Sequence, residues 1–188
     1  TISFLYELLL NREGDIRRQA AALIGKMFAN FNAGYRKEIP ADMADLDDRQ
    51  ARTLWEAYME KLICPDYRLT LQQKRRIQNS LKYVLLSGIE HSDDRVREEM
   101  LTIFYRWFDG SHELDEDARF ALLDAVFSMP AELCARSGRL DCLAEFAVDN
   151  MDHEDDRVRV AAVRALKVLT SVVTRENACY ERVRKAVT

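Results

Sequence analysis

Three clusters of acidic residues hold the side chains best suited to hydrolytic or metal chemistry. The clusters are Asp45-Asp47-Asp48, Glu113-Asp115-Glu116-Asp117 and Asp152-Glu154-Asp155-Asp156. Paired carboxylates can act as general acid and base, or can ligate a divalent cation. Each cluster directly precedes a predicted helix, where acidic residues accept hydrogen bonds from free N–H groups and match the helix dipole. Helix capping is therefore the favoured interpretation, and catalysis or metal binding is the alternative.

The cysteines indicate neither a zinc site nor a disulfide framework. No CxxC pair occurs among the four cysteines, and their density is low for a secreted domain of this length. We expect Cys64, Cys134, Cys142 and Cys179 to be reduced and packed against apolar neighbours. The sequence also contains no phosphate-binding glycine loop, no nucleophile elbow and no HExxH motif. The expected protein is therefore not an enzyme, and it needs no cofactor and no metal.

The composition restricts the class of fold. Of the 188 residues, 48% are hydrophobic and 32% are charged, and the formal net charge is −4, which excludes a disordered chain. Six glycines and three prolines are too few for a turn-rich all-β protein, and no apolar run reaches the length of about 18 residues that a membrane span needs. We therefore expect one soluble, cytoplasmic, all-α domain over residues 1–188 with no membrane contact. Because the sequence starts and stops inside apolar, helix-like runs, we expect it to be a segment of a larger protein.

A short phrase recurs along the chain. Residues 91–97 read HSDDRVR and residues 153–159 read HEDDRVR. A weaker copy, Gly14-Asp15-Ile16-Arg17, lacks the residue between the acid and the branched position. Apolar residues follow each copy at intervals of three or four, as on the buried stripe of an amphipathic helix. The recurrence predicts three helices that begin at the same kind of turn.

The apolar periodicity predicts about eight or nine helices and no strand. They are expected near residues 2–11, 15–32, 46–64, 70–90, 94–109, 115–129, 139–151, 155–173 and 177–187. Most connections between them are short, as between antiparallel neighbours. The exception is 33–45, which contains Gly34 and Pro40 and is predicted to be a longer loop.

The phrase Asp-x-Val-Arg, followed by apolar residues every three to four positions, resembles the second helix of a HEAT repeat, of the armadillo-type superhelix family. The resemblance implies an all-α fold, a short right-handed solenoid of antiparallel HEAT-like helix pairs. It also implies that the branched residue of each phrase is buried, and that its Asp and Arg form ladders between neighbouring repeats. The residues that receive this structural role are Asp15, Arg17, Asp94, Arg97, Asp156 and Arg159.

Charge is distributed unevenly in the second half of the chain. Residues 109–156 contain fourteen acids and three bases, whereas residues 157–188 contain eight bases and two acids. Corresponding helices of a stacked solenoid line an extended concave surface, and cations off the buried stripes could form a basic row there. The candidates for this partner-binding row are Arg18, Lys26, Arg106, Arg164 and Lys167. Ordinary solvated side chains are the competing interpretation of the same residues.

The favoured function is a non-catalytic scaffold or protein-interaction module. It would bind an acidic or amphipathic segment, from a protein partner or from another domain of a larger chain, against its concave helix face. Nucleic-acid binding on the same basic row is the alternative, since some HEAT-like proteins bind DNA on a basic concave face. A pI near 5.5 counts against this alternative.

The aromatic residues bear on the same alternative, because exposed rings can stack on bases. Trp55, Phe104 and Trp107 fall on predicted buried stripes, which favours a core position for all three. Tyr105 and Phe108 fall off the stripe, and we expect both to be partly exposed or to face an adjacent repeat.

Overall fold

The computed structural model describes residues 2–32 and 45–188, and within these ranges the regular structure is helical, with no strand. In chain order the elements are α1 (Ile2–Leu8), α2 (Gly14–Asn32), α3 (Asp48–Ile63), α4 (Leu71–Gln78), α5 (Leu81–Ile89), α6 (Asp94–Tyr105), a 3-10 helix (Arg106–Phe108), α7 (Glu116–Ser128), α8 (Ala131–Arg136), α9 (Leu140–Asp149), α10 (Asp156–Leu169) and α11 (Tyr180–Val187). The all-α class is therefore confirmed.

The chain divides into two compact units, residues 1–104 and residues 105–188. We describe each unit by itself, and a single domain over residues 1–188 stays a prediction. No helix within the described ranges is both long and apolar enough to cross a membrane.

In unit 1, helices α1 and α3 touch at successive positions that follow the same N-to-C direction on both helices. Ser3 Oγ lies 3.5 Å from Tyr58 Oη, and Tyr6 Oη donates to the carbonyl of Lys61 one turn further along both helices, so α1 and α3 run parallel. The ring of Phe28 on α2 packs against that of Trp55 on α3, with centroids 4.6 Å apart. This aromatic contact lies at the centre of the apolar core of unit 1.

Helix α2 has a second parallel neighbour in α4 and α5. Near its start, Arg76 Nη1 donates to the carbonyl of Leu10 at 3.0 Å, and further along, Ser87 Oγ donates to the carbonyl of Ala22 at 2.7 Å. Around this contact α2 and α5 come so close that a Cβ on Gly25 would lie 2.1 Å from the carbonyl oxygen of Val84. Unit 1 therefore contains two sets of parallel helices, α1 with α3 and α2 with α4 and α5.

Unit 2 has the same arrangement in different residues. At the starts of α7 and α10, Arg157 Nη1 donates to Asp117 Oδ1 at 2.9 Å, and further along, the Arg164 guanidinium lies over the ring of Phe127. These two helices are therefore parallel. Helices α9 and α11 are also parallel, because Asp141 Oδ1 accepts from the backbone N–H of Cys179 at 2.9 Å and Asp149 pairs with Arg182.

The helix boundaries differ from the predicted ones at three places. The span 70–90 is two helices, since α4 ends at Gln78 and α5 begins at Leu81. The backbone N–H of Asn79 donates to the carbonyls of Arg75 and Ile77, which ends α4. The hydroxyl of Ser80 donates to the carbonyl of Arg76.

The second and third differences lie in unit 2 and at its start. Helix α8 begins directly after Pro130 and was not predicted, whereas the span 94–109 tightens into a 3-10 turn after Tyr105. The described residues hold eleven α-helices, more than the eight or nine expected. The loop predicted over 33–45 lies outside the described residues except for its last position.

The burial of individual residues confirms most of the predicted core and corrects it at two positions. Trp55 and Phe104 are buried as predicted, whereas Trp107 is only half-buried. Tyr105 and Phe108, expected to be partly exposed or to face an adjacent repeat, are buried, and the ring of Phe108 lies 5.0 Å from that of Phe146. Ile16 is 38% exposed although its counterparts Val96 and Val158 are fully covered, since the buried stripe of α2 begins one turn later, at Ala20.

Candidate interaction surface

The three recurring arginines have the same local contact. Arg17 Nη1 donates to the carbonyl of Asn11 at 2.8 Å, Arg97 Nη1 to that of His91 at 2.5 Å, and Arg159 Nη1 to that of His153 at 2.6 Å. In each case the acceptor is six residues before the arginine, in the turn that leads into the helix. These arginines thus attach each helix to its preceding turn.

The turn itself is equivalent in all three copies. The backbone N–H of Asp93 donates to His91 Nδ1 and that of Asp155 to His153 Nδ1, both at 3.1 Å. In the first copy the N–H of Glu13 donates to Asn11 Oδ1 at 2.9 Å. An amide oxygen therefore replaces the imidazole nitrogen.

This equivalence corrects the sequence alignment of the first copy. Helix α2 begins at Gly14 just as α6 begins at Asp94 and α10 at Asp156, so no residue is missing. Gly14 takes the place of the first-turn acid.

The ladder acids make ion pairs within their own helices. Asp15 pairs with Arg18, Asp94 with Arg97 and Asp156 with Arg159, each three residues apart. At the parallel starts of α7 and α10, an ion pair between the helices joins Arg157 to Asp117 at 2.9 Å.

Helix capping is confirmed for one acid of each cluster. Asp47 accepts from the N–H of Gln50 at 2.7 Å, Asp115 from that of Ala118 at 2.7 Å, and Asp155 from that of Arg157 at 2.7 Å. The Arg157 guanidinium beside Asp155 holds the pKa of that carboxyl at about 2. Among the described residues no group of three or more histidine, cysteine and acidic side chains could hold a metal ion.

The cysteines lie in different environments, and none forms a disulfide. Cys134 and Cys179 are buried as predicted, Cys142 is half-buried, and Cys64 is exposed because it follows the last turn of α3. Burial raises the pKa of the Cys134 thiol and raises that of Cys179 to about 12. A nucleophilic thiol needs the opposite shift.

The five cations of the predicted basic row belong to different parts of the molecule. Arg18 and Lys26 are exposed on α2 in unit 1, where Arg18 pairs with Asp15. Arg106 is exposed in the 3-10 turn of unit 2. Arg164 and Lys167 are exposed on α10 and are separated by three residues, so they lie on one face of that helix. The structure therefore brings Arg164 and Lys167 together.

Apolar side chains that the sequence analysis did not single out lie beside these two cations. Val160 and Val163 are each 51% exposed on α10, on the same stripe as Arg164 and Lys167. Phe127 of α7 is 40% exposed, and the Arg164 guanidinium lies 5.9 Å from its ring centroid. We call Phe127, Val160, Val163, Arg164 and Lys167 the α7–α10 face.

The start of the α7–α10 face repeats this combination of ring and cation. Phe120 is half-buried on α7, and the Arg157 guanidinium lies 5.9 Å from its ring centroid. Arg157 is held there by Asp155 at 2.7 Å and by Asp117 at 2.9 Å. Asp124 lies between Phe120 and Phe127 on the same side of α7, by its helical spacing. Two aromatic rings of α7 are therefore each covered by an arginine of α10.

Comparison with known proteins does not assign the chain to a family. No family model matches the chain, and no curated protein matches it significantly. A crystal structure of an engineered protein aligns over 98% of this chain and 94% of that chain, with 11% sequence identity and a TM-score of 0.29. A TM-score this low carries no argument about the fold.

Proposed function

We propose that this chain is a non-catalytic helical-repeat module, a short right-handed stack of HEAT-like helix pairs, that binds a protein segment. The parallel packing of alternate helices in each unit supports this arrangement. In a solenoid of helix pairs, the first helix of one pair packs parallel to the first helix of the next pair, and the second helices pack likewise. The shared turn before α2, α6 and α10 supports it further, since one local structure recurs at the start of three helices.

The observation that carries the binding function is the α7–α10 face. Three partly exposed apolar side chains, Phe127, Val160 and Val163, lie beside two cations on a pair of ordered helices. Contiguous exposed apolar side chains on a folded protein mark interaction sites more often than isolated ones do. The face therefore suits a segment with one apolar side and one charged side.

The partner is an amphipathic segment that carries acidic residues. Its apolar side would cover Val160, Val163 and the open edge of the Phe127 ring, as an amphipathic helix lies in an apolar groove. Its carboxylates would approach Arg164 and Lys167, which select for charge and orientation. The remaining cations of the predicted row, Arg18, Lys26 and Arg106, stay a prediction.

Nucleic acid on the same basic row remains the alternative function. Arg164 and Lys167 share one face of α10 with two exposed valines, and the partly exposed ring beside them, that of Phe127, has the Arg164 guanidinium over it. This setting favours the protein segment over a phosphate backbone.

The proposal is tested by affinity capture with nuclease treatment, followed by titration of the captured protein. Immobilised chain is compared with Val163→Asp, with the double variant Arg164→Glu/Lys167→Glu, and with Lys185→Glu as a control for an exposed cation elsewhere. We expect a protein that survives nuclease treatment and whose Kd rises at least tenfold in both face variants but not in Lys185→Glu. Hydrogen exchange in the complex should be slowed on α7 and α10.

Two results would contradict the proposal. Capture that disappears after nuclease treatment and that is also lost in Arg164→Glu/Lys167→Glu would support the nucleic-acid alternative on the basic row. A captured protein whose affinity is unchanged in both face variants would show that it binds elsewhere.

A further inference from the structure

A second charged surface lies in unit 1, around α4. Between Asp66 and Glu90 the chain has five cations and no acid, although its net charge is −4. The cations are Arg68, Lys74, Arg75, Arg76 and Lys82. Lys61 adds a further cation in the last turn of α3. We call the turn 65–70 and helix α4, with Lys61, the α4 surface.

The one acid of the turn, Asp66, interacts with two of these cations, Arg68 and Lys74. Arg68 Nη2 lies 2.5 Å from Asp66 Oδ2, and its Nε lies 3.0 Å from Asp66 Oδ1. The hydrogen bond from Arg68 lowers the pKa of Asp66 to about 2, and the Lys74 ammonium contributes in the same direction. Lys74 is therefore close enough to act on the same carboxylate.

A concavity of about 590 Å³ adjoins α4 on the side of the turn before α2. Arg12 and Arg76 line it, together with the neutral side chains of Asn11, Thr70 and Gln73 and the acid Glu13. Arg76 is fixed there because its Nη1 donates to the carbonyl of Leu10 at 3.0 Å. Guanidinium, amide and hydroxyl groups thus line the concavity, and such donors match the oxygens of a phosphate group.

An exposed aromatic ring completes the surface. Tyr67 is 85% exposed, between Asp66 and Arg68. The backbone around it is held in place, because the N–H of Leu69 donates to the carbonyl of Asp66 at 3.1 Å and the N–H of Arg68 to Asp66 Oδ1 at 2.9 Å. An ordered turn thus presents an open aromatic ring beside cations, which is the combination that sequence-tolerant binding of unpaired bases uses.

We propose that the α4 surface and the concavity beside it bind single-stranded nucleic acid, with phosphates against Arg12 and Arg76 and one base stacked on Tyr67. The ring favours this occupant over an acidic protein segment, because carboxylates would use the cations but gain nothing from an open π-face. The surface shares no residue with the α7–α10 face, so the two proposals succeed or fail independently.

The test is fluorescence anisotropy of a labelled 15-nucleotide oligo-dT with the full chain, between 25 and 200 mM NaCl. Two phosphate contacts give a slope of log K against log salt of about −1.4, at roughly −0.7 per contact on a single strand. Arg12→Gln should make the slope shallower by about 0.7. Tyr67→Ala should weaken binding about tenfold and leave the slope unchanged, since stacking carries no charge.

The controls separate this surface from the rest of the chain and from general polyanion binding. Lys185→Gln, on α11, should bind oligo-dT as the wild type does, and circular dichroism should show equal helix content for all variants. Polyglutamate should compete weakly. The proposal is overturned by an absence of oligo-dT binding at 25 mM NaCl, by an Arg12→Gln slope equal to that of the wild type, by an equal loss in Lys185→Gln, or by full affinity in Tyr67→Ala.

Discussion

The turn before α2, α6 and α10 shows how one local structure is built from different side chains. His91 and His153 accept a backbone N–H through Nδ1, and Asn11 does the same through Oδ1. Both atoms offer a lone pair to the same backbone N–H, so the imidazole and the amide side chain are interchangeable in this turn. The same position of the turn is therefore histidine in two copies and asparagine in the third, with the same hydrogen bond in each.

This interchange predicts the effect of two substitutions at His153. His153→Asn should keep the acceptor for the N–H of Asp155 and change the free energy of unfolding by less than about 0.5 kcal/mol. His153→Ala removes the acceptor and should cost about 1 kcal/mol. Urea unfolding followed by circular dichroism measures both. Equal destabilisation by Asn and Ala would show that the acceptor has no role.

At the scale of the helices, the close approach of α2 and α5 depends on two glycines that are not equivalent. A Cβ on Gly25 would lie 2.1 Å from the carbonyl oxygen of Val84 and 3.0 Å from the N of Gly88, which are backbone atoms. A Cβ on Gly88 would lie 2.4 Å from Cε of Met100, the mobile end of a flexible side chain. Only the first contact requires the helices to move apart.

We therefore expect Gly25→Ala to be much more destabilising than Gly88→Ala. Separation of the helices should cost Gly25→Ala about 2 kcal/mol or more, which exceeds the helix propensity that alanine gains. Gly88→Ala should stay within about 1 kcal/mol of the wild type, because Met100 can change rotamer and alanine favours the helix. Thermal unfolding of the two variants provides the comparison, and similar melting temperatures would contradict the packing of α2 on α5.

The helices themselves could be predicted from the sequence wherever their signals are local. The signal for the turn before α10 lies in the contiguous residues 153–159, so the start of that helix could be predicted. The break after Gln78 was not, because the apolar spacing from Ile77 to Leu81 continues across it. The same limit applies to the site. Arg164 was identified because it is off the buried stripe of its own helix, whereas its contact with Phe127 depends on the pairing of two helices distant in sequence.

At the scale of the whole molecule, each unit contains one of the two tryptophans. Trp55 is buried in unit 1 against Phe28, and its indole N–H has no hydrogen-bond partner among the residues that the structure describes. Trp107 lies in unit 2 and stacks on His112, with ring centroids 4.0 Å apart. Trp55→Phe removes a buried donor that makes no hydrogen bond to the described residues, so the substitution should lower the free energy of unfolding by less than the loss of a paired donor would. Single-tryptophan variants can therefore report on each unit separately.

These probes test whether the two units unfold independently. Each unit has its own buried apolar residues, and a chain of stacked repeats holds its stability in local and nearest-neighbour contacts. In urea, Gly25→Ala should therefore lower the midpoint reported by Trp55 fluorescence by more than the midpoint reported by Trp107. The comparison needs Gly25→Ala in both the Trp55→Phe and the Trp107→Phe backgrounds, each against its own parent. Equal shifts at both tryptophans would show that residues 1–188 unfold as one cooperative domain, which is the organisation that the sequence alone predicts.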